Sequence, residues 1–317
     1  MREKELLKTL LNEPGCLLAP GVYDGLSALL VEAAGFSTAF LSGGSLSFSR
    51  FGLPDVGLVT ATEVAETISI IKGRSKIPLI VDMDTGFGNA LNVQRTVASF
   101  ERAGASALQM EDQVFPKRCG HMAGKAVISC GEMVGKIKAA LDARHHSDTL
   151  IIARTDAIAV NGFEDALERG HQYIEAGCDV LFIEAPNSIE QMKVIGQQFG
   201  DQVPLVHNFA EGGGSPIEAA NELQGLGYKT RILGSPNILS IALRTVRNNP
   251  SPISDVKVRQ AMNYAVDKKS IVEHILSGTS RVAHQPAVEG LAGYNPNLKK
   301  YNYDPDKARE LLKNSKY

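Results

Sequence analysis

Asp82 and Asp84 stand two residues apart at the end of a short apolar run, in the string VDMDTGFGN. In an extended chain that spacing sends both carboxylates to one face. Glu111 closes another apolar run, in LQMED. Three converging carboxylates without matching basic residues repel one another, and a hard divalent cation offsets that repulsion. Mg²⁺ suits such a set, because it takes one or two carboxylates, waters and substrate oxygens. The competing reading is that these acids cap the loops that follow them. Arg154 ends a further run, and its planar guanidinium suits a substrate carboxylate by bidentate pairing. The alternative for it is a salt bridge to Glu184. Cys119 lies in Lys117-Arg118-Cys119-Gly120-His121. Two cations before the thiol and a His after it favour the thiolate. Context alone leaves Cys119 open between a reactive and an inert thiol, whereas Cys16, Cys130 and Cys178 read as inert.

These residues need a scaffold that brings the ends of several runs together. The runs cover residues 17–19, 38–41, 79–82, 107–110, 150–153, 180–183 and 205–206. Each is too short for a helix and lacks alternation, as strands buried on both faces do. Helical patterns lie between them at 27–35, 62–71, 93–104, 131–144 and 163–177. Three of these close on a similar phrase, EAAGF, ERAGA and IEAGC, whose Gly suits a left-handed helix C-cap. Repeated strand–helix units of this kind predict an α/β fold, a (β/α)8 barrel over residues 1–235, with 230–233 as its eighth strand. An open doubly wound sheet usually carries a Gly-rich phosphate turn after its first strand, and APGVYDG does not provide one. In a barrel, the C-terminal strand ends form one rim. That rim would collect Ser42-Gly43-Gly44, Asp82, Asp84, Glu111, Arg154, Glu184 and Asn208, and residues 115–125 would form a loop able to act as a lid.

Composition limits the rest. The chain has 317 residues, a formal net charge of -2 and 21% charged residues, which gives no reason to expect nucleic-acid or membrane partners. The opening MREKELLKTLLNEPG lacks a continuous apolar core, so no secretory signal is expected. Four Cys in a chain of this length do not make a disulfide framework, and a reducing cytoplasm is the expected setting. The near-neutral total conceals a seam: residues 1–228 are net acidic and Gly-rich, while the remainder is net basic and Gly-poor.

The strings LSGGSLS, LPDVG, VDMDTGFGN, EDQVFPKRCGH, ARTDA, FIEAP and NFAEGG resemble the isocitrate lyase and phosphoenolpyruvate mutase superfamily over residues 10–228. Within it the chain is most similar to small members that cleave 2-methylisocitrate, 2,3-dimethylmalate or other alkylmalates. Many relatives carry the name carboxyphosphonoenolpyruvate phosphonomutase, which remains an alternative. The resemblance implies a Mg²⁺-dependent barrel (Mn²⁺ being a substitute) that acts on a small 2-hydroxy acid. It also implies a homo-oligomer, a tetramer with swapped final helices. By the same resemblance Asp82 and Asp84 hold the metal, with Asp55 and Glu111 outside them. Ser42, Gly43 and Gly44 bind the 2-oxo or 2-hydroxy acid end. Arg154, Glu184 and Asn208 contact substrate. Cys119 is the general acid, and Lys117, Gly120 and His121 complete its motif. Phe40 stands where several relatives have Tyr or Trp. The implied reaction is a retro-Claisen cleavage: the 2-hydroxyl loses its proton, the C2–C3 bond breaks, and Cys119 protonates the departing carbanion. The residues do not assign the base.

From residue 238 the pattern changes. DVKVRQAMNYAVDKKSIVEHIL and GYNPNLKKYNYDPDKARELL resemble part of the family 5 solute-binding proteins of peptide transporters. Residues 236–317 are therefore read as a mostly helical segment of foreign origin that partly replaces the last barrel helix and stands in place of the swapped helices. Helices are expected over 255–276 and over 304–312, with Asp304 as N-cap and Pro305 in the first turn, a loop is expected over 294–303, and residues 238–246 could mimic the eighth barrel helix. Two alternatives follow from this segment: an inactive chimera, or a peptide-binding module.

Overall fold

A computed structural model describes residues 3–13, 15–118, 124–208, 216–217, 222–226, 228, 231–235, 255–270, 297 and 299–315. The chain divides into two compact units, Met1–Ile241 and Ala242–Tyr317.

The first unit is a closed barrel of parallel strands: β1 (Leu17–Val22), β2 (Ala39–Leu41), β3 (Leu79–Asp82), β4 (Ala107–Glu111), β5 (Leu150–Thr155), β6 (Val180–Ile183), β7 (Leu205–Asn208) and β8 (Arg231–Ser235). Leu17 pairs with Ile232 and Pro20 with Ser235, which closes the ring. The expected strand at 230–233 is therefore present as β8, with residue 230 outside the described residues. The helices of this unit are α1 (Glu3–Asn12), α2 (Gly25–Ala33), α3 (Gly43–Leu46), α4 (Ala61–Lys72), α5 (Ala90–Ala103), α6 (Cys130–Ala143), α7 (Phe163–Glu175), α8 (Ile189–Phe199) and α9 (Glu222–Gly225).

The absence of alternation in the strands has a direct cause. Successive residues enter two different apolar layers. Ile80, Ala107, Ile152 and Phe182 fill the barrel interior. Their neighbours Val81, Leu108, Ile151 and Leu181 pack outward, in the larger core that includes helix residues such as Ile68, Val97, Ile137 and Ile195. Both faces are buried, so the strand reads as a continuous apolar run. The sequence did not single out α1, yet its Leu7 and Leu11 join the interior cluster. Lys8 Nζ lies 3.9 Å from Asp148, which precedes β5. The helix therefore covers the barrel end where strands begin.

Polar caps set the helix starts. Thr60, Asn89 and Ser129 accept backbone N–H groups at the heads of α4, α5 and α6, satisfying donors left over in a first turn. These helices accordingly begin one to three residues before the first position the apolar pattern suggests. The three phrase-closing glycines, Gly35, Gly104 and Gly177, have φ of 85°, 113° and 97°, as the C-cap reading expects.

The second unit contains α10 (Val256–Ala265), α11 (Lys268–Ser270) and α12 (Pro305–Lys313). Asp255 and Asp304 cap α10 and α12, and Pro305 occupies the first turn of α12. The Asp304 N–H donates to the Tyr264 carbonyl at 2.9 Å, and the Tyr264 and Tyr301 rings meet edge to face. Residues 297 and 299–303, from the expected loop, form neither helix nor strand. The expected segments 238–246 and 271–276 lie outside the described residues. No described helix is long and apolar enough to cross a membrane.

Candidate active site

The interior face of each strand changes character within one step. Two residues beyond Phe40, Ile80, Ile152, Phe182 and Val206 of the interior cluster stand Ser42, Asp82, Arg154, Glu184 and Asn208. On β4 the interior series runs Ala107, Gln109, Glu111. A period of two keeps each of these side chains on the inner face, so the apolar plug gives way to acids, an amide and an Arg at the C-terminal rim. Phe40 itself belongs to the apolar plug, not to the polar layer.

The loop after β3 is held in an unusual backbone. Asp84, Gly86, Phe87 and Gly88 have φ of 46°, 88°, 61° and 142°. Asp84 and Phe87 are non-glycine residues in a sparsely occupied region, where strain concentrates at functional sites. The turn lets the Asp84 N–H donate to Asp82 Oδ1 at 3.1 Å. The Gly43 N–H approaches Asp82 Oδ2 at 3.4 Å. A Cβ on Gly43 would sit 3.1 Å from that oxygen, and one on Gly44 would sit 3.2 Å from Asp55 Oδ2. The two glycines thus let the acids reach the backbone closely. Ser42 caps α3 by accepting the Ser45 N–H. A small cleft is lined in part by Gly43, Asp55, Asp82 and Asp84.

The structure corrects one expectation here: the acids do have a matching base. Lys117 Nζ lies 2.5 Å from Asp55 Oδ1 and 2.9 Å from Asp84 Oδ1, and the residue is 3% exposed. The sequence hid this because Lys117 is remote from those acids along the chain. Burial opposes the Lys117 charge, but Asp84, Glu111, Asp82 and Asp55 together hold its pKa above the ordinary value. Burial pushes Asp84 up to about 6, with Lys117 opposing. Burial also drives Glu111 well above the carboxylate range, against the pull of Arg154.

Arg154 makes the expected pair with Glu184 and closer contacts as well. Its main partner is Asp156, which sequence reasoning did not single out. Arg154 Nε and Nη2 donate to the two Asp156 oxygens at 2.9 and 3.1 Å. Glu111 is 3.4 Å away and the expected Glu184 contact is 3.7 Å. The guanidinium also lies over the Phe182 ring, 5.1 Å from its centroid. Burial would raise the Asp156 pKa, but Arg154 and Lys125 hold it down at about 2.

The structure thus places Ser42, Gly43, Gly44, Asp55, Asp82, Asp84, Glu111, Lys117, Arg154, Glu184 and Asn208 on the rim strands or the loops that follow them. Cys119, Gly120 and His121 lie outside the described residues. Burial raises the thiol pKa of Cys130 and, to about 12, that of Cys178, consistent with inert thiols.

A Mg²⁺ ion fits this donor set. Among the described residues no three His, Cys, Asp or Glu side chains form a ready ligand group. Mg²⁺ needs only one or two carboxylates beside waters and substrate oxygens. Glu111 Oε1 is buried and accepts no hydrogen bond, Asp84 Oδ1 meets the Lys117 ammonium, and buried oxygens left without donors are unusual.

The family model for phosphoenolpyruvate phosphomutase matches residues 7–253. The chain belongs to that family, within the phosphoenolpyruvate mutase and isocitrate lyase superfamily. It is 44% identical over 232 residues to 2,3-dimethylmalate lyase of Eubacterium barkeri, covering 73% of this chain and 80% of the relative. It is 46% identical over 224 residues to 2-methylisocitrate lyase of Aeropyrum pernix, covering 71% of each. The crystal structure of a 2,3-dimethylmalate lyase superposes with a TM-score of 0.71 at 32% identity, covering 89% of this chain and 88% of that one. A phosphonopyruvate hydrolase solved with oxalate and Mg²⁺ superposes with a TM-score of 0.66 at 32% identity, covering 78% and 86%. The chain is thus an enzyme of this superfamily, of the carbon–carbon lyase type. A second model, for the middle region of family 5 bacterial extracellular solute-binding proteins, matches residues 207–317. Both resemblances expected from the sequence are therefore found, the second beginning at residue 207 where 238 was expected.

Proposed function

We propose that the chain is a Mg²⁺-dependent lyase that cleaves the C2–C3 bond of a 2-hydroxy di- or tricarboxylic acid. The favoured substrate is 2,3-dimethylmalate or another alkylmalate, with 2-methylisocitrate next. The observation that carries the reading is the pair of unlike polar clusters on one rim: the carboxylates of Asp55, Asp82 and Asp84 gathered beside the Lys117 ammonium, and a fixed Arg154 in contact with Glu111. Asp82 and Asp84 would hold Mg²⁺, directly or through water, with Asp55 and Glu111 outside them. The ion would acidify the 2-hydroxyl and neutralise the oxyanion left by its proton.

The chain's own residues supply the remaining functions. Arg154 pairs with a substrate carboxylate, while Glu184 and Asn208 contact its polar groups. Ser42 and the Gly43 and Gly44 backbone bound the 2-hydroxy acid end. As C2–C3 breaks, its electron pair goes to C3, and the Cys119 thiol donates the proton that completes the carboxylic acid product. The carbonyl formed at C2 remains in the α-keto acid. Lys117 and His121 flank that thiol in sequence and support its ionisation. Residues 1–235 carry this chemistry, and residues 236–317 are a solute-binding-protein-like fragment.

The test offers the full chain, with Mg²⁺, separate samples of 2,3-dimethylmalate, 2-methylisocitrate, isocitrate and oxaloacetate. Keto-acid release from the first or second supports the reading. A folded protein that releases keto acid from neither contradicts it. Saturable calorimetric binding of di- or tripeptides would favour the binding-module alternative instead.

A further inference from the structure

Behind Arg154 lies a buried chain of polar groups that reaches the outer helix layer. Asp112, one residue beyond β4, is buried and accepts four hydrogen bonds. Its Oδ2 receives the Thr155 hydroxyl at 2.7 Å, the Tyr173 hydroxyl at 2.7 Å and Arg169 Nη1 at 3.0 Å. Its Oδ1 receives the Asp156 N–H at 3.0 Å. Tyr173 and Arg169 both project from α7, one turn apart. Asp165 fixes Arg169 from its other side at 2.7 Å. Three donors converge on Oδ2 and one on Oδ1, and the residue is fully buried, so these contacts hold the carboxylate in place. The two groups it holds on β5 and just beyond, Thr155 and the Asp156 backbone, directly follow Arg154 in the chain. The Asp156 carboxylate then grips the Arg154 guanidinium bidentately.

We propose that Asp112, anchored by Tyr173 and Arg169, is a positioning residue that sets the Arg154 guanidinium through Thr155 and Asp156, and so sets affinity for the substrate carboxylate. The physical reason lies in the grip itself. A bidentate pair fixes the plane of a guanidinium, but only as firmly as its carboxylate is fixed. Asp156 sits just beyond the end of β5, where the ladder stops; Asp112 holds its N–H, while Lys125 Nζ also holds its carboxylate at 2.9 Å. Fully satisfied buried networks rigidify their members, and small misplacements of a binding group are costly in binding and rate. A network that served only the core would have no reason to terminate on the one guanidinium of this rim cluster. The inference rests on the reading of Arg154 as the substrate-carboxylate partner.

The experiment measures oxalate binding to the Mg²⁺-loaded full chain by calorimetry, with melting temperature recorded in parallel. The variants are Tyr173→Phe, Thr155→Val, Thr155→Ser and Arg154→Met. Tyr173→Phe and Thr155→Val each remove one hydroxyl and no charge, and both residues are fully buried. The expected result is about tenfold weaker oxalate binding in both, recovery in Thr155→Ser, and loss of binding in Arg154→Met. In turnover, the Tyr173→Phe change appears in KM more than in kcat. Wild-type oxalate affinity in Tyr173→Phe and Thr155→Val, with Arg154→Met impaired, overturns the positioning inference alone. Wild-type affinity in Arg154→Met overturns the reading beneath it as well. If Thr155→Ser fails to restore affinity, or only the melting temperatures fall, the network is structural and the inference fails.

Discussion

Lys117 Nζ sits 2.9 Å from Asp84 Oδ1 and also pairs with Asp55, so a buried ammonium occupies the acid cluster that a divalent cation would use. The two cations compete for the same negative charge. Lys117→Met is therefore expected to bind Mn²⁺ about tenfold more tightly by paramagnetic resonance titration, a change of roughly 1.4 kcal/mol. Unchanged or weaker Mn²⁺ binding would show that the ammonium and the metal do not share this space.

Gly86 has a left-handed φ of 88°, and a Cβ there would lie 2.4 Å from Val93 Cγ2 and 3.1 Å from the Met110 sulfur. Gly86→Ala should cost about 2–3 kcal/mol of stability in denaturant melts and weaken metal binding by displacing Asp84. A stable variant with normal metal affinity would mean that the strained turn does not hold the acids.

His207 is buried on β7, and burial lowers its pKa from 6.5 to about 4. The folded state keeps it neutral while the unfolded state protonates below about 6.5. Its contribution is thus fully present above pH 6.5 and is lost as pH falls towards 4, up to roughly 3 kcal/mol in total. Unfolding free energy measured across that window should fall less steeply in His207→Gln than in the parent. Equal slopes would exclude His207 as the source.

Cys119→Ser keeps the size of the side chain but replaces an acidic thiol with a weakly acidic hydroxyl. Keto-acid release should fall about 10²–10⁴-fold with an unchanged melting temperature. Unaltered turnover would remove Cys119 from the proton transfer.

The legible part of the fold was the part written locally. Two-sided burial made β3 to β6 read as apolar runs, and Gly35, Gly104 and Gly177 marked helix ends. The rim positions followed from period two, which carries Ile80 to Asp82 and Ile152 to Arg154. Long-range pairing was not legible. Lys117 meets Asp55 across 62 residues, and Tyr173 meets Asp112 across 61. Nothing in either local string reveals its partner. Asp156 was overlooked for a different reason: two residues from Arg154, it read as part of the motif and not as the guanidinium's partner. Helix α1 was missed because its burial depends on a barrel interior that exists only after the strands close.

The most direct measurement is product stoichiometry from 2,3-dimethylmalate with the Mg²⁺-loaded full chain. Breaking C2–C3 should yield pyruvate and propionate in equal amounts, with both lost on chelation and restored by added Mg²⁺. Folded protein that yields neither product, or yields them equally well with chelator present, would contradict a Mg²⁺-dependent carbon–carbon cleavage.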